Sequence, residues 1–221
     1  VRGRYGNALL SRARIVQVRE IHLDGGTMLE WPRGSGKLKR IARGLLAATL
    51  ELAEGNHMTV YCTHLDHISE KQRMVQMTHI LQAMHSRQPA EPHVLVGDLN
   101  ALRMDDYTQA EWAALERKAV ESGWAPPCDA GCLQMLQKEG YIDAFQQACS
   151  DRGSASLQNL GTPKFTAHTD APMYRIDYVM VSPEAQQTGV HVEDAFIDEA
   201  ASGSDHFPLV VDLVWKAPSD A

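Results

Sequence analysis

No apolar run in this chain comes near the roughly 20 residues that a membrane-crossing helix requires, the longest stopping at about half of that. Basic charge is also short: 21 lysines and arginines stand against 28 acidic residues, a formal net charge of −7. Such a chain draws little from general attraction to nucleic acid, although a local basic patch can still serve a phosphate substrate. Basic and aromatic residues do not interleave in the way that single-strand binding uses. Cysteine is scarce, and the four present, Cys62, Cys128, Cys132 and Cys149, form no disulfide framework, which points to a reducing, intracellular compartment. Cys128 and Cys132 lack the second pair or nearby histidine that a zinc knuckle needs. Internal repeats and interdomain linkers are missing too.

What is present is an ordinary globular composition, 44% hydrophobic over 221 residues, enough for one domain with a real core. That domain is expected over residues 1–215, with a frayed tail at 216–221. Its centre is HVLVGDLNAL, residues 93–102. An apolar run ends in Gly97, and then Asp98 and Asn100 follow two apart, on the same side of an extended chain. A carboxylate and an amide at the mouth of a buried strand are costly unless something fills the space between them. Three more β-branched runs carry polar groups at one end: TVYCTHLDH ends in His64, YRIDYVMVS starts at Asp177, and SDHFPLVVDLVW starts at Asp205 and His206. If two strands run into one rim and two run away from it, all of these ends meet on one edge, which antiparallel pairing allows.

Around these runs, residues 5–12 read as a strand, and Val16, Val18 and Ile21 as another. WPRGSGK is not a phosphate-binding P-loop: Trp31 stands where its first glycine belongs, and Leu38 where Ser or Thr should follow Lys37. Arg33, Lys37, Lys39, Arg40 and Arg43 read as a solvated basic loop. Residues 42–53 and 58–65 are expected as strands. Ser69 with Gln72 forms a capping-box pattern opening a helix whose Met74, Met77, Leu81 and Met84 pack on a sheet. Arg73 and Gln76 on that helix are candidates to reach back to buried carboxylates. Thr108 with Glu111 opens a second helix with Trp112, Leu115 and Ala119 inward and Gly123 at its end, and Asp129 caps a third with Leu133 and Leu136. Residues 151–172 form the longest loop. Phe165 and Thr166, like Thr162, receive no role.

In order and content, GDLNAL, YRIDYVMVS and SDHFPLVVDL, with THLDH upstream, resemble the endonuclease/exonuclease/phosphatase superfamily of DNase I-like phosphoesterases, over almost the whole chain. The resemblance implies a four-layer α/β sandwich, two mixed sheets face to face with helices outside. It implies hydrolysis of a phosphodiester or phosphomonoester with magnesium, or manganese, as cofactor. The substrate class stays open among nucleic acid, lipid and inositol phosphates. Asp205 is then the metal ligand, since Mg²⁺ takes hard oxygens and keeps several waters. His206 faces the phosphorus, as general base or as a cation on a phosphate oxygen, and Asp177 holds its ring. Asp98 orients water or protonates the leaving group, Asn100 meets a phosphate oxygen or completes the metal shell, and His64 stabilises the transition state.

One part of the family pattern is missing. Its opening strand with an Asn, and the later strand ending in a metal-binding Glu, would both precede Val1. The 221 residues alone are therefore expected to show weak or no catalysis, with apolar surface left open. The alternative reading is a catalytically degenerate relative that binds a partner through the same cleft.

Overall fold

The computed structural model describes residues 6–32, 34–86, 91–154, 156–160 and 163–215. Tyr5, Arg33, Thr162 and the tail at 216–221, all named above, lie outside the described residues. The four apolar runs become strands β5 (His57–His64), β6 (His93–Asp98), β8 (Asp177–Val181) and β10 (Leu209–Trp215). β4 (Arg43–Glu51) takes the strand expected over residues 42–53, and β1 (Arg14–Leu23) is longer than its three apolar markers suggested. Among the described residues these build a six-stranded mixed sheet in the order β1-β4-β5-β6-β8-β7, with β7 at Ile142–Asp143. A second sheet pairs β10 with β9 (Val190–Ile197), and β2 (Met28–Glu30) pairs with β3 (Leu38–Arg40) in a small hairpin. The second sheet is thus an antiparallel pair in the described residues, not the mixed sheet expected.

Helices cover the large sheet. α1 (Glu70–His85) and α3 (Gly131–Lys138) lay Met77, Ile80, Leu81, Leu133 and Leu136 on one face, against Tyr61, Leu95 and Met180. The opposite face, with Val94, Val96 and Val181, meets Val190, Val192 and Val211 of the second sheet. α4 (Ala144–Asp151) packs Phe145 and Ala148 on the same inner face of that sheet, against Ala195 and Ile197, and α5 (Pro183–Gln187) leads into β9. α2 (Gln109–Ser122) belongs to the inserted segment between β6 and β7.

Several local expectations change. Residues 6–12 form no strand: Leu10 is fully exposed, and Asn7 instead donates to the carbonyls of Gly44 and Cys62 at 2.9 and 3.1 Å. Ser69 is the N-cap of α1 but makes no side-chain cap bond, and the Gln72 side-chain oxygen that would return to the Ser69 N–H accepts from the Gly26 N–H at 2.7 Å instead. The Asp66 carboxylate substitutes, accepting from the backbone of Ile68 and Ser69. Met74 is exposed on the sheet helix, while its three partners are buried. Gln76 accepts from the Asp66 N–H and Arg73 donates to the Asp66 carbonyl, while Arg73 also pairs with the half-buried Glu70 carboxylate of its own helix at 2.7 Å. Asp129 does not cap α3; it accepts from the Met104 N–H and the Gln134 amide. The Thr108–Glu111 box on α2 forms in full, with Gly123 left-handed at the C-cap. No helix among the described residues is long and apolar enough to cross a membrane.

Candidate active site

Strand register alone brings three of the expected groups together. β5 and β6 run parallel with His64 opposite Asp98, and β6 and β8 run antiparallel with Asp98 opposite Asp177. Gly97 makes the approach possible. Its φ of +130° suits glycine, and a Cβ there would stand 2.0 Å from the Thr63 carbonyl oxygen, so any other residue would part β5 from β6. Past the strand end Asn100 turns left-handed, with φ 48°. Its backbone N–H donates to Asp98 Oδ1 at 2.8 Å and its amide to the Leu65 carbonyl at 3.2 Å, an Asx-type turn tying the end of β6 to that of β5.

His206 comes from the other sheet, not from a fourth strand of the same one. The loop before β10 is bridged to the loop before β8, with the Phe207 N–H donating to the Thr166 carbonyl at 2.7 Å. His206 Nδ1 then lies 2.8 Å from Asp177 Oδ2. The Thr166 hydroxyl oxygen accepts from the backbone of Ile176 and Asp177 at 3.2 and 3.3 Å, which sets the start of β8.

The charges are unequal. Burial, and then the neighbouring Asp177 carboxylate, push Asp98 up to about 6, against the Asn100 N–H and the His206 and Arg43 cations. Burial, and then the charges of Arg43, His67 and His206, push His64 down to about 4. His64 is therefore neutral at pH 7, and its 3.4 Å approach to Asp98 is a dipole contact and not an ion pair. The bond to Asp177 raises His206 above its ordinary value in spite of burial.

The site also departs from expectation. Asp205 does not join the other two acids. Its side chain is 79% exposed and stands 3.8 Å from His168 Nδ1. Arg43 is not part of a solvated loop: at the start of β4 it is 7% exposed, with its guanidinium 3.1 Å from His67. His168, Arg43 and Thr166 were all missed as site residues. Nothing local in the sequence marks them; only the pairing of distant segments does. Arg175 was passed over inside the RIDY string. It is fully buried, donating to Asp106 at 2.7 Å and to both Asp143 oxygens at 2.7 and 2.6 Å.

Among the described residues, two groups have donors close enough to hold a metal ion: Asp98, Asp177 and His206, and His168, Asp205 and His206. The first fits a hard divalent cation. Two carboxylates pressed together, one of them held up by burial and by its neighbour, are what a shared dication would relieve.

In the metal-free chain that strain has a measurable sign. The folded pKa of Asp98 exceeds its unfolded one, so the fold favours the protonated carboxyl and loses stability as pH rises from about 4 through about 6. Asp98→Asn removes the charge. In EDTA at pH 7.5 it should raise stability by about 2 kcal/mol, a gain that vanishes near pH 4. Urea denaturation at the two pH values checks this; a variant less stable at both would contradict it.

A family model described as the Endonuclease/Exonuclease/phosphatase family matches residues 1–206. The chain belongs to the endonuclease/exonuclease/phosphatase family. The family's name joins enzymes that split phosphate esters, which supports a phosphoesterase class. Among curated proteins, none matches the sequence. Solved structures do. An endonuclease/exonuclease/phosphatase from Bacteroides vulgatus is 18% identical with a TM-score of 0.59, over 92% of this chain and 66% of that one. A mannosyl-6-phosphatase of Bacteroides thetaiotaomicron is 17% identical with a TM-score of 0.56, over 91% and 67%. The human nocturnin catalytic domain, solved with a bound sulfate anion, is 18% identical with a TM-score of 0.59, over 93% and 60%. At these identities the likeness is one of fold, the DNase I-like α/β architecture of the family. This family member spans about two thirds of the length of such structures.

Proposed function

We propose that this chain is a metal-dependent phosphoesterase in which His206 acts as the general base. The reading rests on one observation: Asp98 and Asp177 face each other across β6 and β8, and Asp177 holds a histidine delivered by the second sheet. Asp98 and Asp177 would hold the cation, magnesium by the hardness of these donors. Once bound, it would offset the charge that gathers on the phosphate oxygens.

The side chains divide the remaining work. Asp177 accepts the Nδ1 proton of His206, which fixes the tautomer and leaves Nε2 with its lone pair. As the water oxygen bonds to phosphorus and the ester P–O bond breaks, the water proton passes to Nε2, and the imidazolium is stabilised by Asp177. Asp98 orients the water. His64, neutral at pH 7, donates a hydrogen bond to a non-bridging oxygen without adding charge. Since the base works unprotonated, the rate rises with pH through the raised His206 value.

Bis-p-nitrophenyl phosphate and p-nitrophenyl phosphate test the reading and separate diester from monoester use. Weak hydrolysis of one of them in Mg²⁺ or Mn²⁺, abolished by EDTA, is the expected result. A chain that hydrolyses neither, or does so equally well in EDTA, is not a metal-dependent phosphoesterase.

A further inference from the structure

His168 has no part in the chemistry above, yet its ring nitrogen faces Asp205, one residue from the base. We propose that His168, Asp205 and His206 form a transition-metal site of the zinc class at the rim of the active site, and that filling it inhibits hydrolysis by occupying His206. The inhibitory half rests on the phosphoesterase reading; the site itself does not.

One donor atom from each of the three side chains lies within 4.8 Å of the other two, with His168 Nδ1 3.8 Å from Asp205 Oδ2. Donors around a tetrahedral zinc stand about 3.3 Å apart, from zinc–ligand bonds of about 2.0–2.2 Å. The exposed Asp205 side chain can close that gap by turning, without repacking a core.

The backbone beneath the donors is already fixed. The Thr169 N–H donates to the Asp205 carbonyl at 3.0 Å and the Thr169 hydroxyl to the Ser204 carbonyl at 3.2 Å. A backbone bridge links Ala167 to His206. The His168 ring stands edge-on to Tyr174, with centroids 5.7 Å apart, and edge-on to His206 at 6.0 Å. The two loops that carry the donors are therefore tied to each other by backbone hydrogen bonds.

His206 is also dressed as a ligand. A metal-binding histidine usually gives its other ring N–H to a carboxylate, which fixes the tautomer and strengthens the donor nitrogen. Asp177 occupies that position on Nδ1 and leaves Nε2 for an ion. Two imidazoles and one carboxylate make a softer set than the oxygen shell magnesium prefers, and they suit zinc or cobalt. Three protein donors at an exposed rim leave coordination positions for water and a path for the ion.

The chemistry predicts competition. A nitrogen lone pair bound to zinc cannot take a proton from water, so zinc and catalysis exclude each other at His206.

Calorimetric titration of the 221-residue chain with Zn²⁺, paired with visible absorption of its Co²⁺ form, tests the site without reference to activity. The intact chain should bind one equivalent, and His168→Ala and His168→Asn should each bind at least about tenfold more weakly. Circular dichroism of both variants checks that the fold is kept. Equal binding by all three chains overturns the site. Hydrolysis in Mg²⁺ then tests the inhibition: Zn²⁺ should silence the intact chain, while His168→Ala keeps its Mg²⁺-supported rate and resists Zn²⁺. Zinc bound at His168 with no loss of rate overturns the inhibitory half. Absence of hydrolysis in every chain overturns that half together with the phosphoesterase reading, while the titration still decides the site.

Discussion

Replacing His206 with alanine should lower Mg²⁺-supported phosphoester hydrolysis by roughly 10²- to 10⁴-fold, the range expected when one general acid or base is lost. The side chain is about a quarter exposed, at 25%, and lies in a loop, so its removal leaves no cavity in the core. The loss should therefore appear in the rate and not in the urea midpoint. Asp177→Asn removes the charged support of the base together with one of the two carboxylates proposed to hold the cation, so the pH profile, more than the rate, reports on the support. It keeps the ring's neighbour in shape but exchanges a carboxylate for an amide, so the Nδ1 proton loses its charged acceptor and the tautomer is no longer fixed. A fall of at least tenfold is expected, with the pH profile moved to lower values, because the carboxylate is what raises His206. Unchanged rates in His206→Ala would remove the base from the proposed mechanism, and an unshifted profile in Asp177→Asn would remove its partner.

The second large effect is on stability. Arg175→Met should cost about 3–5 kcal/mol, because it strands the buried Asp106 carboxylate and leaves Asp143 only the 3.5 Å contact of Arg103. Both carboxylates are nearly as buried as the guanidinium, at 2% exposure against 1%. The guanidinium also lies over Tyr178 and Phe145, 4.5 and 5.3 Å from the ring centroids, so packing is lost along with charge. Arg175 ties three parts together: the loop before α2 through Asp106, the start of α4 through Asp143, and β8 through its own backbone, whose N–H donates to the Tyr107 hydroxyl at 2.8 Å. Asp177 follows two residues later. A urea midpoint that does not move in Arg175→Met would show the network to be ornamental; a fall without recovery in Arg175→Lys is expected, since an ammonium cannot fork to both acids.

Much of this was legible in the chain. β-branched runs with polar ends are short-range patterns, and β5, β6 and β8 form where those patterns stand. The Thr108–Glu111 box is a contact between residues one turn apart, so it closes as written. The Ser69–Gln72 pattern is as local, yet its return bond fails, because a loop 46 residues away in sequence offers Gln72 a backbone N–H and Asp66 takes the Ser69 N–H. Residues 6–12 show the same limit: an apolar stretch becomes a strand only where a neighbour offers its free edge.

The sequence by itself determined the family and marked His64, Asp98, Asn100, Asp177 and His206 as candidates, because a residue's type and its neighbours along the chain are what a motif records. Only the tertiary structure decided how they meet. Parallel and antiparallel register set Asp98 against His64 and Asp177, and a bridge between two loops carried His206 across from the second sheet. The same bridge turned Asp205 away from the acids and toward His168, and β4 buried Arg43 behind His67. These pairings depend on long-range hydrogen bonds and on burial, which alter charge as well as place: the same fold that gathers the groups also lifts Asp98 and leaves His64 neutral. Spacing along a chain carries no information about either.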